Sequence, residues 1–162
     1  HSMRRTMIRK WMIALGVAMA VLSAWAVNAQ TKSTHMKMNA GFITSRLTET
    51  KEFYQRVLGF EVVFENDFYL LMKVPGGTEQ ISFLLPNHET QQPLFKPAFG
   101  GKGAYLTIEV ENVDAEFDRI NRLKIPMAIS LRSEPWGDRH FAFVDPNGIG
   151  IDIVTYTAPT EN

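Results

Sequence analysis

Phe53-Tyr54-Gln55-Arg56-Val57-Leu58-Gly59-Phe60 is the stretch on which the fold turns. Read backwards from Gly59, it is the end of a helix. Leu47, Phe53, Tyr54, Val57 and Leu58 recur at helical spacing, and Gly59 stands where a helix C-terminus favours a left-handed residue. Thr48 is the expected N-cap, so the spacing predicts a helix over residues 48–58. Asn39-Ala40-Gly41-Phe42-Ile43 before it reads as a short strand. Residues 61–65, 68–74 and 80–85 after it read as three more, with Asn66-Asp67 and Pro75-Gly76-Gly77 as the turns. Residues 38–85 therefore have the order βαβββ.

The pattern then starts again. Tyr105-Leu106-Thr107-Ile108-Glu109-Val110 alternates with period two, as a half-buried strand does. Phe117, Ile120 and Leu123 share a helical stripe over residues 113–123, with Asn112 as cap. Strands are predicted at 127–130, 140–144 and 150–155, the last two joined by Asp145-Pro146-Asn147-Gly148. Residues 104–156 thus repeat βαβββ, and residues 86–103, with three Pro and three Gly, connect the copies. A copy of near 50 residues buries too little apolar surface to stand alone, so two must pack together, within one chain or between chains.

With both copies in view, the sequence resembles a known family. Phe53 to Phe60 resembles the "FY..vLGF" helix end of the vicinal oxygen chelate superfamily, and Phe141-Ala142-Phe143-Val144-Asp145-Pro146-Asn147-Gly148 resembles its "F.f.DPdG" signature. That superfamily holds glyoxalase I, bleomycin-resistance proteins, fosfomycin-resistance enzymes and extradiol dioxygenases. The resemblance covers residues 38–156. It implies an α+β fold in which two βαβββ modules form curved mixed sheets around a central small-molecule cavity, with helices packed outside. It also implies a homodimer.

Enzymes of the family hold a divalent metal with His, Gln or Glu from four strands. Carried onto this chain, those positions fall at Asn39, Ser82, Tyr105 and Asp152. Catalytic divalent ions are usually held by two or three His or carboxylate ligands, and Asn, Tyr and Ser are poor substitutes. The expectation is therefore a cavity without the family's metal centre and with no cofactor. An alternative set, Glu109, His140 and Asp152, would hold a metal if their strands bring them together. Strand alternation puts Tyr105, Thr107 and Glu109 on one face and Leu106, Ile108 and Val110 on the other.

Ser133-Glu134-Pro135-Trp136-Gly137-Asp138-Arg139-His140 places the one Trp outside the leader beside Arg and His. Relatives in the family carry a similar "PWG.R" run. Trp offers a stacking face and Arg a fork for carboxylate or phosphate. In the plainer reading Trp136 caps the sheet and Arg139 pairs with Asp138 or Glu134. Tyr105 then fills the cavity and bonds Asp152, and Asp145 and Asn147 only hold their turn. Phe68, Tyr69 and Phe99 would supply aromatic walls. The expected ligand-binding residues are Asn39, Ser82, Tyr105, Thr107, Trp136, Arg139, His140 and Asp152.

Residues 1–29 read differently. His1-Ser2 before Met3 reads as a cloning remnant. Arg4, Arg5, Arg9 and Lys10 precede an uncharged run from Trp11 to Val27 that ends in Val27-Asn28-Ala29. That is the layout of a secretory signal peptide, or of a membrane anchor if uncleaved, although a spanning helix needs about 20 apolar residues. Residues 30–37 read as a polar linker and residues 158–162 as a tail. The expected location is exported, periplasmic or secreted, with any membrane contact through the leader.

Composition bounds the rest. The 162 residues hold 17 basic and 17 acidic side chains and no Cys, which excludes disulfides, Cys-ligated metals and a cysteine nucleophile. Four of the basic residues and none of the acidic ones precede Gln30, so the remainder carries 13 basic against 17 acidic residues, a net of −4. A mildly acidic domain is a poor partner for nucleic acid. No phosphate-binding glycine loop, Gly-x-Ser-x-Gly elbow or His-Glu-x-x-His motif occurs. The leading expectation is an exported protein that binds a small organic molecule and does no chemistry on it. The alternatives are a metal-dependent lyase or dioxygenase with a rearranged site, and a partner-binding module with a filled cavity.

Overall fold

The computed structural model describes residues 35–158. The expected leader, most of the linker and the last four residues of the tail lie outside them. The folded unit begins at Met38.

Eight strands and two α-helices are present among the described residues. Module one comprises β1 (Asn39–Ile43), α1 (Leu47–Leu58), β2 (Glu61–Glu65), β3 (Tyr69–Lys73) and β4 (Gln80–Leu84). Module two comprises β5 (Tyr105–Glu109), α2 (Val113–Arg122), β6 (Ile129–Ser133), β7 (Asp138–Val144) and β8 (Gly150–Tyr156). A single 3-10 turn, Pro93–Phe95, marks the connector. Each module forms its own four-stranded sheet, in the orders β1-β4-β3-β2 and β5-β8-β7-β6. The first and last strands of each module run parallel and the other neighbours antiparallel. The fold is α+β, with no closed barrel, as two modules of the expected type require.

The registers make the duplication exact in position. Asn39 pairs with Gln80 as Tyr105 pairs with Gly150, and Gly41 with Ser82 as Thr107 with Asp152. Two element bounds differ from the sequence expectation for local reasons. Helix α1 starts at Leu47 rather than after a Thr48 cap, because the Thr44 hydroxyl accepts the Arg46 N–H one turn earlier (3.0 Å). Strand β6 begins at Ile129, two residues late, because Lys124 adopts a left-handed φ of 59° and β6 meets β7 only through an irregular register. The Gly59 cap forms as expected, at φ 69°.

Each sheet has a helix-side face and an open face. On the helix side, Leu70, Met72, Ile81 and Phe83 meet Tyr54, Val57 and Leu58 of α1, all buried. In module two, Phe141, Phe143, Ile151 and Ile153 meet Val113 and Ile120 of α2. Burial of such a side chain stabilises by about 1.5–3 kcal/mol. One cluster spans both modules: Phe53 of α1 packs against Phe143 of β7 (6.1 Å between centroids), and within module one Tyr54 packs against Phe83 (5.2 Å).

Polar clamps join the modules at both ends. The Tyr54 hydroxyl donates to Asp145 Oδ2 (3.1 Å), and both groups are buried. Asp145 also accepts the N–H groups of Asn147 (2.7 Å) and Ile149 (2.9 Å). Asn147 in turn accepts from the Thr44 hydroxyl (2.7 Å) and donates to Thr50 (3.0 Å). The Asp-Pro-Asn-Gly turn therefore holds itself and grips the start of α1. Gly148, at φ 86°, has no room for a Cβ, which would fall 2.5 Å from the Gly101 carbonyl oxygen. At the other end, Arg119 of α2 donates to the Val57 carbonyl of α1 (2.7 Å) while paired with Glu116.

Candidate ligand-binding face

Strand alternation aims Tyr105, Thr107, His140 and Asp152 at the open face of module two. Tyr105 is 74% exposed. It makes no hydrogen bond to Asp152. Val144 and Ile129 extend the exposed face.

His140 anchors the face. Its Nδ1 lies 2.7 Å from Asp152 Oδ1 and its Nε2 lies 3.2 Å from Glu134 Oε1. Ionised carboxylates only accept, so an imidazolium donating from both nitrogens is the form that satisfies both contacts. Arg132 closes the chain with Nε 2.6 Å from Glu134 Oε1 and Nη2 3.0 Å from Oε2. Arg132, Glu134, His140 and Asp152 thus alternate in sign across one sheet face. The tight turn Pro135-Trp136-Gly137 makes this possible. It returns the chain so that the Glu134 N–H meets the Asp138 carbonyl (2.7 Å) and the Glu134 carboxylate reaches over His140.

The electrostatics follow. The Arg132 fork and His140 hold the Glu134 carboxyl below the usual range, against a smaller opposing effect of burial. Burial pulls the His140 pKa down, but the hydrogen bonds to Asp152 and Glu134 outweigh it and raise the pKa above the ordinary value. The free valence of the chain is at Asp152. Its Oδ1 is taken, while Oδ2 makes no hydrogen bond to the described residues and the side chain stays partly open at 26%. An acceptor oxygen therefore stands on the same face as the hydroxyls of Thr107 and Tyr105, which make no hydrogen bond to the described residues.

The other expected site residues separate into three places. Asn39 and Ser82 meet on the open face of module one, with the Ser82 hydroxyl 3.5 Å from Asn39 Oδ1. Trp136 is exposed at the rim, its indole N–H on Asp138 Oδ2 (2.9 Å). Arg139, adjacent to His140 in a strand, points to the opposite face and forks onto Asp114 of α2 at 2.8 and 2.6 Å. Its partner is thus Asp114, not Asp138 or Glu134, and it does not share the His140 face. Phe68 stacks on His88 (3.8 Å), and Phe99 packs edge-on against Phe42 (5.3 Å). Neither walls the His140 cluster.

Among the described residues no three His, Cys, Asp or Glu side chains converge as metal ligands. His140 and Asp152 meet, but both His140 nitrogens are already engaged by carboxylates. Glu109 instead lines a cavity at the junction of the modules. Sequence reasoning overlooked Glu134 and Arg132 as site residues. The usable signal was the Pro-Trp-Gly turn, which places the residue before it across from the strand that follows.

Fold and site together define a protein of paired βαβββ modules with a polar cluster on one open sheet face. The chain belongs to the Glyoxalase/Bleomycin resistance protein/Dioxygenase superfamily, whose family model matches residues 35–153. Solved structures agree. TnmS3, an antibiotic binding protein from Streptomyces sp. CB03234, is 19% identical with a TM-score of 0.60, covering 76% of this chain and 98% of that one. A glyoxalase/bleomycin resistance protein/dioxygenase from Nocardioides is 15% identical with a TM-score of 0.64, covering 87% and 99%. Lactoylglutathione lyase from Agrobacterium tumefaciens is 19% identical with a TM-score of 0.60, covering 75% and 95%. At these identities the likeness is one of fold. No match is found among curated protein sequences.

Proposed function

We propose that this protein binds a small, planar organic molecule on the open face of module two and performs no metal chemistry on it. The observation that carries the reading is the state of the His140 cluster. A histidine locked between two carboxylates is neither a free base nor a free ligand, whereas Asp152 Oδ2, Thr107 and Tyr105 offer an acceptor, a hydroxyl and a stacking ring. Asn39 and Ser82 offer a neutral counterpart, reached by pairing the open face of module one with that of module two in a homodimer. TnmS3, of the same fold, is an antibiotic binding protein, which gives the ligand class its starting point. The leader supports a place of action outside the cytoplasm.

The test is calorimetry of the full chain against a panel of planar aromatic antibiotics, beside metal analysis of the same sample. The expected result is one ligand per site without stoichiometric metal, and affinity at least about tenfold weaker in Asp152→Ala, or about 1.4 kcal/mol. Stoichiometric zinc, nickel, manganese or iron that disappears in Asp152→Ala would instead establish the metal-dependent reading. Light scattering behind size exclusion checks the dimer, and a strict monomer at micromolar concentration rejects it.

A further inference from the structure

The open face of module two is uneven in exposure, and Asp152 divides it. On one side of Asp152 the strand registers set Glu109, Val154, His140 and Arg132 in one tier. Val154 and His140, the middle of that tier, are buried. On the other side the tier is Tyr105, Gly150 and Val144, and the tier of Asp152 itself runs through Ala142 to Ile129. Here the face is open, with Tyr105, Val144 (48%) and Ile129 (38%) all exposed. These larger side chains stand around two small residues, Ala142 and Gly150. A Cβ at Gly150 would come within 3.2 Å of Tyr105 Cβ, so the lack of a side chain there keeps the space beside the ring clear. Asp152 Oδ1 is turned to His140 on the closed side, 2.7 Å away. The two oxygens of a carboxylate diverge, which leaves Oδ2 to the open side.

Charge is uneven as well. The face carries four carboxylates, Glu134, Asp138 and Asp152, with Glu109 at its margin. Against them stand two cations, Arg132 and the His140 imidazolium, so the net is −2. Both cations are already engaged by Glu134 and Asp152, and Asp138 takes only the Trp136 indole N–H (2.9 Å). Neither Glu109 nor Asp138 pairs with a basic side chain among the described residues. The open face of module one does not offset this deficit. Asn39 and Ser82 are neutral, and Lys73 is matched by Glu61 (2.7 Å). A carboxylate oxygen beside apolar surface binds a charged donor more strongly than a neutral one of the same shape, and it repels an anion.

We infer that the molecule bound on this face is a flat aromatic cation. Its ring lies over Ala142 and Gly150, edged by Tyr105, Val144 and Ile129, and a charged N–H donates to Asp152 Oδ2. An amidinium-type group is the fitting chemistry, because it holds the charge and the N–H donors in or near the plane of the ring. The inference rests on the reading of this face as a ligand-binding surface, and adds to it the charge of the ligand and the atom that meets it.

Three naphthalenes of similar shape and different charge are the probes: 2-naphthamidine, a cation, 2-naphthamide, neutral, and 2-naphthoate, an anion. Each is titrated into the full chain by calorimetry near neutral pH. Affinity should fall in that order, with the amidine at least about tenfold tighter than the amide. Raising NaCl from about 50 to about 300 mM should narrow the gap, as screening of a charge contact requires. Asp152→Asn should close it to within about twofold while the amide keeps its affinity. Ala142→Leu, on the open face and outside the core cluster, should weaken amidine and amide alike by at least about tenfold and preserve their ratio. Thermal melts check that both variants fold, and the charge series on the parent protein decides the matter without them. Equal binding of amidine and amide, or tightest binding of the naphthoate, overturns the inference and leaves the face a site for flat molecules of any charge. A preference for the amidine that persists in Asp152→Asn, or binding unchanged in Ala142→Leu, overturns it too, by placing the cation or the ring elsewhere. No saturation by any of the three up to about 1 mM overturns the inference together with the reading on which it rests.

Discussion

Asp145→Ala should be the most damaging single change outside the apolar core, and the structure supplies the size of the effect. The carboxylate receives the Tyr54 hydroxyl, the Asn147 and Ile149 N–H groups and the Asn147 side-chain amide. Tyr54 and Ile149 are fully buried, so water does not replace their acceptor, while Asn147 is partly open and recovers water in part. A hydrogen bond to a charged group contributes about 1.5–3 kcal/mol, so two buried donors left orphaned cost about 3–5 kcal/mol. For a domain of this size that is a loss of about 10–20 °C in Tm. Tyr54→Phe removes a single donor and leaves Asp145 its other partners, for about 1–2 kcal/mol. Burial, then the adjoining carboxylate, push the Tyr54 phenol far above its ordinary pKa, so the hydroxyl remains a donor throughout the usable pH range. Urea unfolding followed by far-UV circular dichroism measures both variants, and the double variant should show a coupling of about 1–2 kcal/mol. The reasoning fails if Asp145→Ala costs under about 1 kcal/mol, or if Tyr54→Phe costs as much as Asp145→Ala.

Three further outcomes are expected. The His140 pKa is raised in the fold, so its contribution is complete below about pH 6.5 and is lost as pH rises through the folded value. An NMR titration that places His140 below about 6.5 contradicts this. Gly148→Ala meets both a left-handed φ and the Gly101 carbonyl, and should cost about 2–4 kcal/mol; a thermal melt within about 2 °C of the parent argues against that contact. Arg139→Gln breaks an exposed, solvent-screened ion pair on the helix side, so the urea midpoint should stay close to the parent's and ligand affinity on the open face should not change. A fivefold or greater loss of affinity would return Arg139 to the site.

The duplication was legible because local signals agreed with each other. Gly59, Asn112 and the period-two run at Tyr105 each mark one element, and the two signature stretches set their order. The equivalence of Asn39 with Tyr105 and of Ser82 with Asp152, implied by the family resemblance and supported by the internal symmetry, recurs in the two parallel registers. Less of the site was legible. Arg139 and His140 are neighbours in the chain but occupy opposite faces, and a motif read as a string hides that alternation. Glu134 reaches His140 only because a tight turn folds it back, and Asp114 meets Arg139 across 25 positions of sequence. Such contacts depend on where a helix lands, which no local pattern records.

Comparing the copies position by position shows where the chemistry has been kept. Asn39, Gly41, Ile43 and Ser82 in module one stand where module two has Tyr105, Thr107, Glu109 and Asp152. Tyr69, opposite Leu84, stands where His140 sits opposite Val154. Every titratable member of the His140 cluster lies in module two, and module one answers with neutral or apolar groups at the same places. The Asp-Pro-Asn-Gly turn shows the reverse arrangement. Its side chains act on Thr44, Thr50 and Tyr54 of module one, and the matching turn, Pro75-Gly76-Gly77, carries no carboxylate that could act likewise on module two. Module one thus supplies the buried helix that the turn grips, while module two supplies both the grip and the polar face. A carboxylate at Ser82 would need its own neutralising partner; Gly41 and Leu71 flank it directly, and the cation on that face of the neighbouring strand, Lys73, is already paired with Glu61 (2.7 Å). Burying a charge without a partner is costly, which suits a neutral group at Ser82, whereas Asp152 has its partner in place, with His140 Nδ1 2.7 Å from Oδ1.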